Sequence, residues 1–135
     1  MLRILIFCVL KGIFFYSTLA QNDPEKFSLR AIQTEKGKTG NQIRKLSETE
    51  DVSCFHLSIR ENIKMHKHEF HSEHVVVISG KAKMVLGEKE IIIRKGDLIF
   101  IPRNTPHSVI LIRKELRVIS IQAPLFDGKD RVMLE

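Results

Sequence analysis

From Ser53 to Ile121 the chain is a succession of short apolar, β-branched runs separated by turn residues. No segment beyond residue 20 carries an apolar repeat of helical period over a useful length. Such a pattern admits an all-β barrel or sandwich and little else. Ser53 to Arg60 alternates, with Phe55, Leu57 and Ile59 on one face and Cys54, His56 and Ser58 on the other. Ala82 to Leu86 and Glu90 to Arg94, joined by Gly87-Glu88-Lys89, read as a hairpin. Leu98 to Ile101, His107 to Ile112 and Arg117 to Ile121 are further strands, and a short one is expected at Phe27 to Gln33. Glu73 to Ile78 holds the unbroken run Val75-Val76-Val77-Ile78, which predicts a strand buried on both faces. A small barrel cannot cover both faces of its own wall, so this strand predicts a homodimer.

The 135 residues leave room for one domain. Met1 to Ala20 is apolar apart from Arg3 and a break at Lys11-Gly12, offers Thr18 and Ala20 to a peptidase, and gives way to polar Gln21-Asn22-Asp23. The pattern predicts a signal peptide at 1–20 and a secreted or periplasmic domain at 21–135, its core at 52–122. The leader is too short and too interrupted for a stable membrane span, and an uncleaved anchor is the alternative reading. Its removal would take the formal charge from +6 to +4, since it holds two basic residues and no acid. It would also leave Cys54 as an odd, inert thiol with no disulfide partner. The remaining lysines interleave with apolar residues at strand spacing and lack stacking aromatics, so no nucleic-acid partner is expected.

Three imidazoles and a carboxylate fall in this β-rich frame. His66 and His68 are separated by one residue, so a strand projects both to one face. Glu73 follows after four residues and heads a strand, and His107 follows the loop Pro102 to Pro106. Borderline metals accept imidazole and carboxylate together. His71, in the loop after His68, is read either as an acid–base candidate near the barrel mouth or as an exposed loop histidine. His74 alternates away from Glu73 and should face outward, and Arg103 is either an anchor for an anionic substrate or a solvated rim charge. Asp127 and Asp130 are read either as binding groups or, more readily, as turn caps.

Spacing and residue types together resemble the cupins, a superfamily of small β-barrels of the double-stranded β-helix or jelly-roll type. The family's first motif runs glycine, five residues, His-x-His, three or four residues, glutamate, six residues, glycine. His66, His68, Glu73 and Gly80 match it, with Arg60 at the leading glycine. The second motif is matched by Gly96, Pro102 and His107, with Asn104 in place of a glycine and Leu111 in place of an asparagine. Asn104 is a mild departure, because asparagine tolerates a left-handed backbone. The resemblance implies that His66, His68, Glu73 and His107 hold one divalent transition metal: manganese, iron, nickel, copper or zinc. No thiolate accompanies them, which disfavours cuprous ion.

Such a metal, with positions left open, serves an isomerase, lyase or dioxygenase acting on a small organic molecule or sugar acid. The alternatives are a non-catalytic module that binds a small ligand or metal, and a barrel whose metal only stabilises it. Fold alone does not choose among them. An exported location argues against phosphorylated sugar intermediates.

Overall fold

The computed structural model describes residues 24–29, 31–32 and 39–135. The expected leader therefore lies outside the described residues. Ten strands follow in chain order: β1 (Gln42–Glu48), β2 (Ser53–Ile59), β3 (Ile63–Lys67), β4 (Ser72–Ser79), β5 (Lys81–Leu86), β6 (Lys89–Arg94), β7 (Leu98–Ile101), β8 (His107–Leu111), β9 (Leu116–Ala123) and β10 (Val132–Met133). They form two five-stranded sheets, ordered β1-β2-β9-β4-β7 and β10-β3-β8-β5-β6, with antiparallel pairing throughout. Among the described residues there is no helix. The fold is an all-β barrel of two facing sheets.

The inner faces come from simple alternation. Val75 and Val77 of β4, Met84 of β5, Ile101 of β7 and Leu116 and Val118 of β9 meet in one buried cluster. Each buried methylene removed from water contributes about 0.8 kcal/mol, so this cluster is the principal stabilising element. The hairpin β5–β6 falls where the sequence places it, in register from Lys81↔Arg94 to Leu86↔Lys89.

Several expectations are corrected. β4 is not buried on both faces: Glu73, Val75 and Val77 are buried, while Ser72, His74 and Val76 are half-covered. Within one chain its outer valines stay half-covered, and branched side chains fit such a pleated surface. β4 lies inside its sheet between β9 and β7, and lateral neighbours such as Phe100, stacked on His74 at 4.7 Å, supply the partial cover. No strand forms at residues 27–29 or 31–32, and Gln33 lies outside the described residues. Ile32 is instead buried, with its carbonyl accepting from Arg117 Nη2 at 2.6 Å. β1 is not announced by the sequence, because its mostly exposed residues QIRKLSE offer no inward stripe. It is an edge strand, held by its ladder to β2.

Two backbone positions shape the frame. Gly80 has φ +97, and a Cβ there would lie 2.3 Å from the Glu115 carbonyl oxygen, so only glycine lets β4 turn into β5 against that segment. Asn104 adopts φ 60, the left-handed conformation expected for it.

Candidate metal centre

The two sheets bring residues from three strands and one loop to one end of the barrel. His66 on β3 is the direct cross-strand partner of His107 on β8. His68 lies one residue past β3, and Glu73 sits near the start of β4 opposite Gln122 of β9. All four predicted ligand residues are buried. The His66 ring centroid lies 4.1 Å from that of His107 and 5.1 Å from that of His68. One ligand atom from each of the three histidines falls within 4.8 Å of the others. Glu73 Oε2 stands 3.7 Å from His68 Nε2 and 3.6 Å from His107 Nε2.

The ring orientations share one feature. His66 Nδ1 contacts the Lys64 carbonyl at 2.9 Å, His107 Nδ1 the Thr105 carbonyl at 2.9 Å, and His68 Nδ1 the Asp130 carbonyl. A carbonyl only accepts, so each Nδ1 carries the hydrogen and each Nε2 is the nitrogen left for another partner. His107 Nε2 is buried and has no hydrogen-bond partner. Backbone carbonyls that fix the tautomer of ligating imidazoles are the usual outer support of a metal site. Neutral nitrogens with one carboxylate, and no thiolate, suit a divalent first-row transition ion. The residues present fit the metal that the sequence resemblance implies.

Two of the three imidazoles are held neutral by burial. Burial drives the His66 pKa down to about 4, with the neighbouring His107 adding to the effect. Burial also lowers His107. Burial alone would push the Glu73 carboxyl up, but His68 and the Ser120 hydroxyl, which donates to Oε1, outweigh it and hold Glu73 at about 2. His68 is raised: burial opposes its charge, but Glu73 and the Asp130 carbonyl prevail. The cluster thus holds one fixed carboxylate among imidazoles, two of which resist protonation.

Below the cluster lies a cavity of about 120 Å³. Its walls are mainly apolar, among them Leu57, Ile59, Val75 and Met84, and its polar lining beyond the four cluster residues is Gln122 and Arg131. Gln122 Nε2 donates to Ser120 Oγ at 3.1 Å, while its buried Oε1 has no partner.

The other sequence candidates separate. His74 faces outward, as expected. Arg103 is exposed and is not part of the cavity lining, whose one arginine among the described residues is Arg131. Leu111 packs on the core, outside the cavity lining, and its N–H donates to Asn62 Oδ1 at 2.9 Å. His71 is not an exposed loop histidine: it is 1% exposed, its ring 4.1 Å from His68 and its Nδ1 2.7 Å from Asp130 Oδ2. It stands behind His68 and outside the cavity lining. Asp127 caps a turn, accepting from the Lys129 N–H at 2.9 Å, but Asp130 does more than that. Ser120 and Gln122 were missed. The available signal was two polar residues at the inward positions of β9, in phase with Val118.

Comparison with known proteins places this arrangement. The sequence model of the Cupin domain family matches residues 55–122. An uncharacterized protein of Aquifex aeolicus is 30% identical over 94 residues, covering 70% of this chain and 78% of that one. Among solved structures, KdgF from Halomonas sp. superposes with a TM-score of 0.67 at 20% identity, covering 78% of this chain and 97% of that one. Pac13 of Streptomyces, described as a nucleoside dehydratase, superposes at 0.59 with 15% identity, covering 69% of this chain and 85% of that one. The matched segment runs from within β2 to within β9 and holds all four residues of the cluster: the chain belongs to the cupin family.

Proposed function

We propose that this cupin binds one divalent transition metal through His66, His68, Glu73 and His107, and that it is an enzyme of isomerase, lyase or dioxygenase type on a small organic substrate. The observation that carries the metal is the shared orientation of three buried imidazoles, each tied at Nδ1 to a backbone carbonyl with Nε2 left toward the cluster. A bound divalent ion supplies Lewis-acid polarisation of an oxygen group or a lowered pKa for water. The chain's own residues do the rest. The apolar cavity walls exclude water and bury the ligand's hydrocarbon part. Gln122 Oε1 is a ready acceptor for a ligand hydroxyl or N–H, and Arg131 favours an anionic group, which suits a sugar acid or other small carboxylate. A barrel of this fold holds uridine in Pac13, in keeping with a small-molecule ligand.

We also propose export with removal of residues 1–20, and a homodimer formed through the outer face of β4 and β7. Leu98 and Phe100 are 65% and 52% exposed there, beside the half-covered Val76. The test of the metal reading is elemental analysis of protein purified without a histidine tag, paired with an oxygen-uptake screen and a screen of small carboxylates. One equivalent of metal, lost in the His66→Ala/His68→Ala double variant, is expected. Full occupancy in that variant would remove the assignment, and metal without turnover on any class would leave a binding module.

A further inference from the structure

The arm that follows β9 lies beyond the segment matched by the family, yet it closes on the metal cluster. Asp130, in the middle of that arm, is 7% exposed. Its Oδ1 accepts the Glu69 N–H at 2.7 Å, and its Oδ2 accepts the Phe70 and His71 N–H groups at 2.8 and 3.0 Å. His71 Nδ1 stands 2.7 Å from the same Oδ2. These three amides belong to the loop between His68 and Glu73, so a single carboxylate sets the path of the chain between two proposed ligands. The backbone carbonyl of the same residue takes the Nδ1–H of His68. The rest of the arm is fixed around it. Phe126 packs edge-on to His71 and His68 at 5.3 and 6.2 Å. β10 pairs with β3 at Met133↔His66, and the Leu134 N–H donates to the Met65 carbonyl at 3.0 Å.

The three amides and the imidazole form two halves of one device. The carboxylate meets three backbone donors on its two oxygens. That grip locates the Asp130 main chain, and the located carbonyl chooses the His68 tautomer and the aim of Nε2. The carbonyl of Lys64 lies two residues from His66 and that of Thr105 two residues from His107, so those rings are oriented locally. His68 depends on a residue 62 positions away.

We infer that Asp130 is a positioning residue of the metal centre, and that the C-terminal arm completes the site by clamping the 69–71 loop with its carboxylate and orienting His68 with its carbonyl. This rests on the metal reading above. Outer-shell partners of this kind are worth about 10–100-fold in metal affinity.

The test uses the full chain, wild type and Asp130→Asn, with Asp127→Asn as the control for a nearby turn aspartate. Asparagine keeps the size but places an N–H₂ group against backbone donors. Zinc affinity by chelator competition should fall about 10–100-fold in Asp130→Asn and stay unchanged in Asp127→Asn. The d–d spectrum of the Co(II)-loaded protein should shift in the first variant only. Equal zinc affinity and an unchanged cobalt spectrum in Asp130→Asn overturn the inference while leaving the metal reading intact. Failure of the wild type to bind zinc or cobalt overturns the metal reading itself. Should Asp130→Asn fail to fold, ring nitrogen NMR of the zinc-loaded wild type decides. A hydrogen-bonded, slowly exchanging Nδ1–H on His68 supports the inference, and zinc bound through His68 Nδ1 overturns it.

Discussion

Replacing Glu73 with glutamine isolates the one fixed negative charge of the cluster. In the folded protein this carboxyl drops from an ordinary 4.5 to about 2. That difference corresponds to about 3 kcal/mol favouring the ionised form, at 1.36 kcal/mol per pKa unit. Burial works against the charge, so the whole gain comes from His68, Ser120 and His107. Glutamine mimics the protonated acid in shape, and its amide oxygen can still accept the Ser120 hydroxyl. Metal-free Glu73→Gln should therefore lose about 2–3 kcal/mol at pH 7. The pH dependence is the sharper signature. A depressed carboxyl pKa gives stability that is full above the unfolded value near 4.5 and is lost as pH falls through about 2. The gap between wild type and variant should widen from pH 7 to pH 5, as His68, whose pKa Glu73 raises, takes up its proton in the wild type, and close progressively below pH 4.5. His66, lowered from 6.5 to about 4, costs both proteins stability over the window from pH 6.5 down to 4, so it cancels in the difference. Urea unfolding in the presence of a chelator at several pH values measures this directly. A gap absent at pH 7, or as large at pH 2 as at pH 5, would refute the reasoning.

His107→Ala should lower metal occupancy and any turnover far more than His74→Ala, which should lose only its stacking on Phe100, about 0.5–1.5 kcal/mol of stability; equal metal content in the two variants counts against the ligand assignment. Gly80→Ala should cost more than about 2 kcal/mol, combining a left-handed φ with a Cβ 2.3 Å from the Glu115 carbonyl oxygen, and an unchanged urea midpoint would show that the turn relaxes freely. The proposed dimer should appear by light scattering at micromolar concentration and dissociate in Leu98→Lys/Phe100→Lys, whereas a monomeric wild type removes it. Intact mass of native material should show loss of residues 1–20, and a retained Met1 on the native chain would end the export proposal.

The sequence by itself determined the strands between Ser53 and Ile121, the family and the four residues of the cluster. These properties are local: alternation decides which side chains share a face, Gly80 and Asn104 mark backbone conformations that few residues adopt, and His66 and His68 are brought together by one strand's period. Tertiary structure decided what depends on residues distant in the chain. Val76 gives no sign in the sequence of being half-covered, because that follows from where β4 lies among its neighbours. β1 has no inward stripe to announce it, and exists through its pairing with β2. Ser120 and Gln122 became part of the site only when β9 was laid beside β4. Asp130 reads as an ordinary turn aspartate until the arm folds back. Its hydrogen bonds span 59 to 62 residues, and no local pattern records a contact that loop closure alone creates.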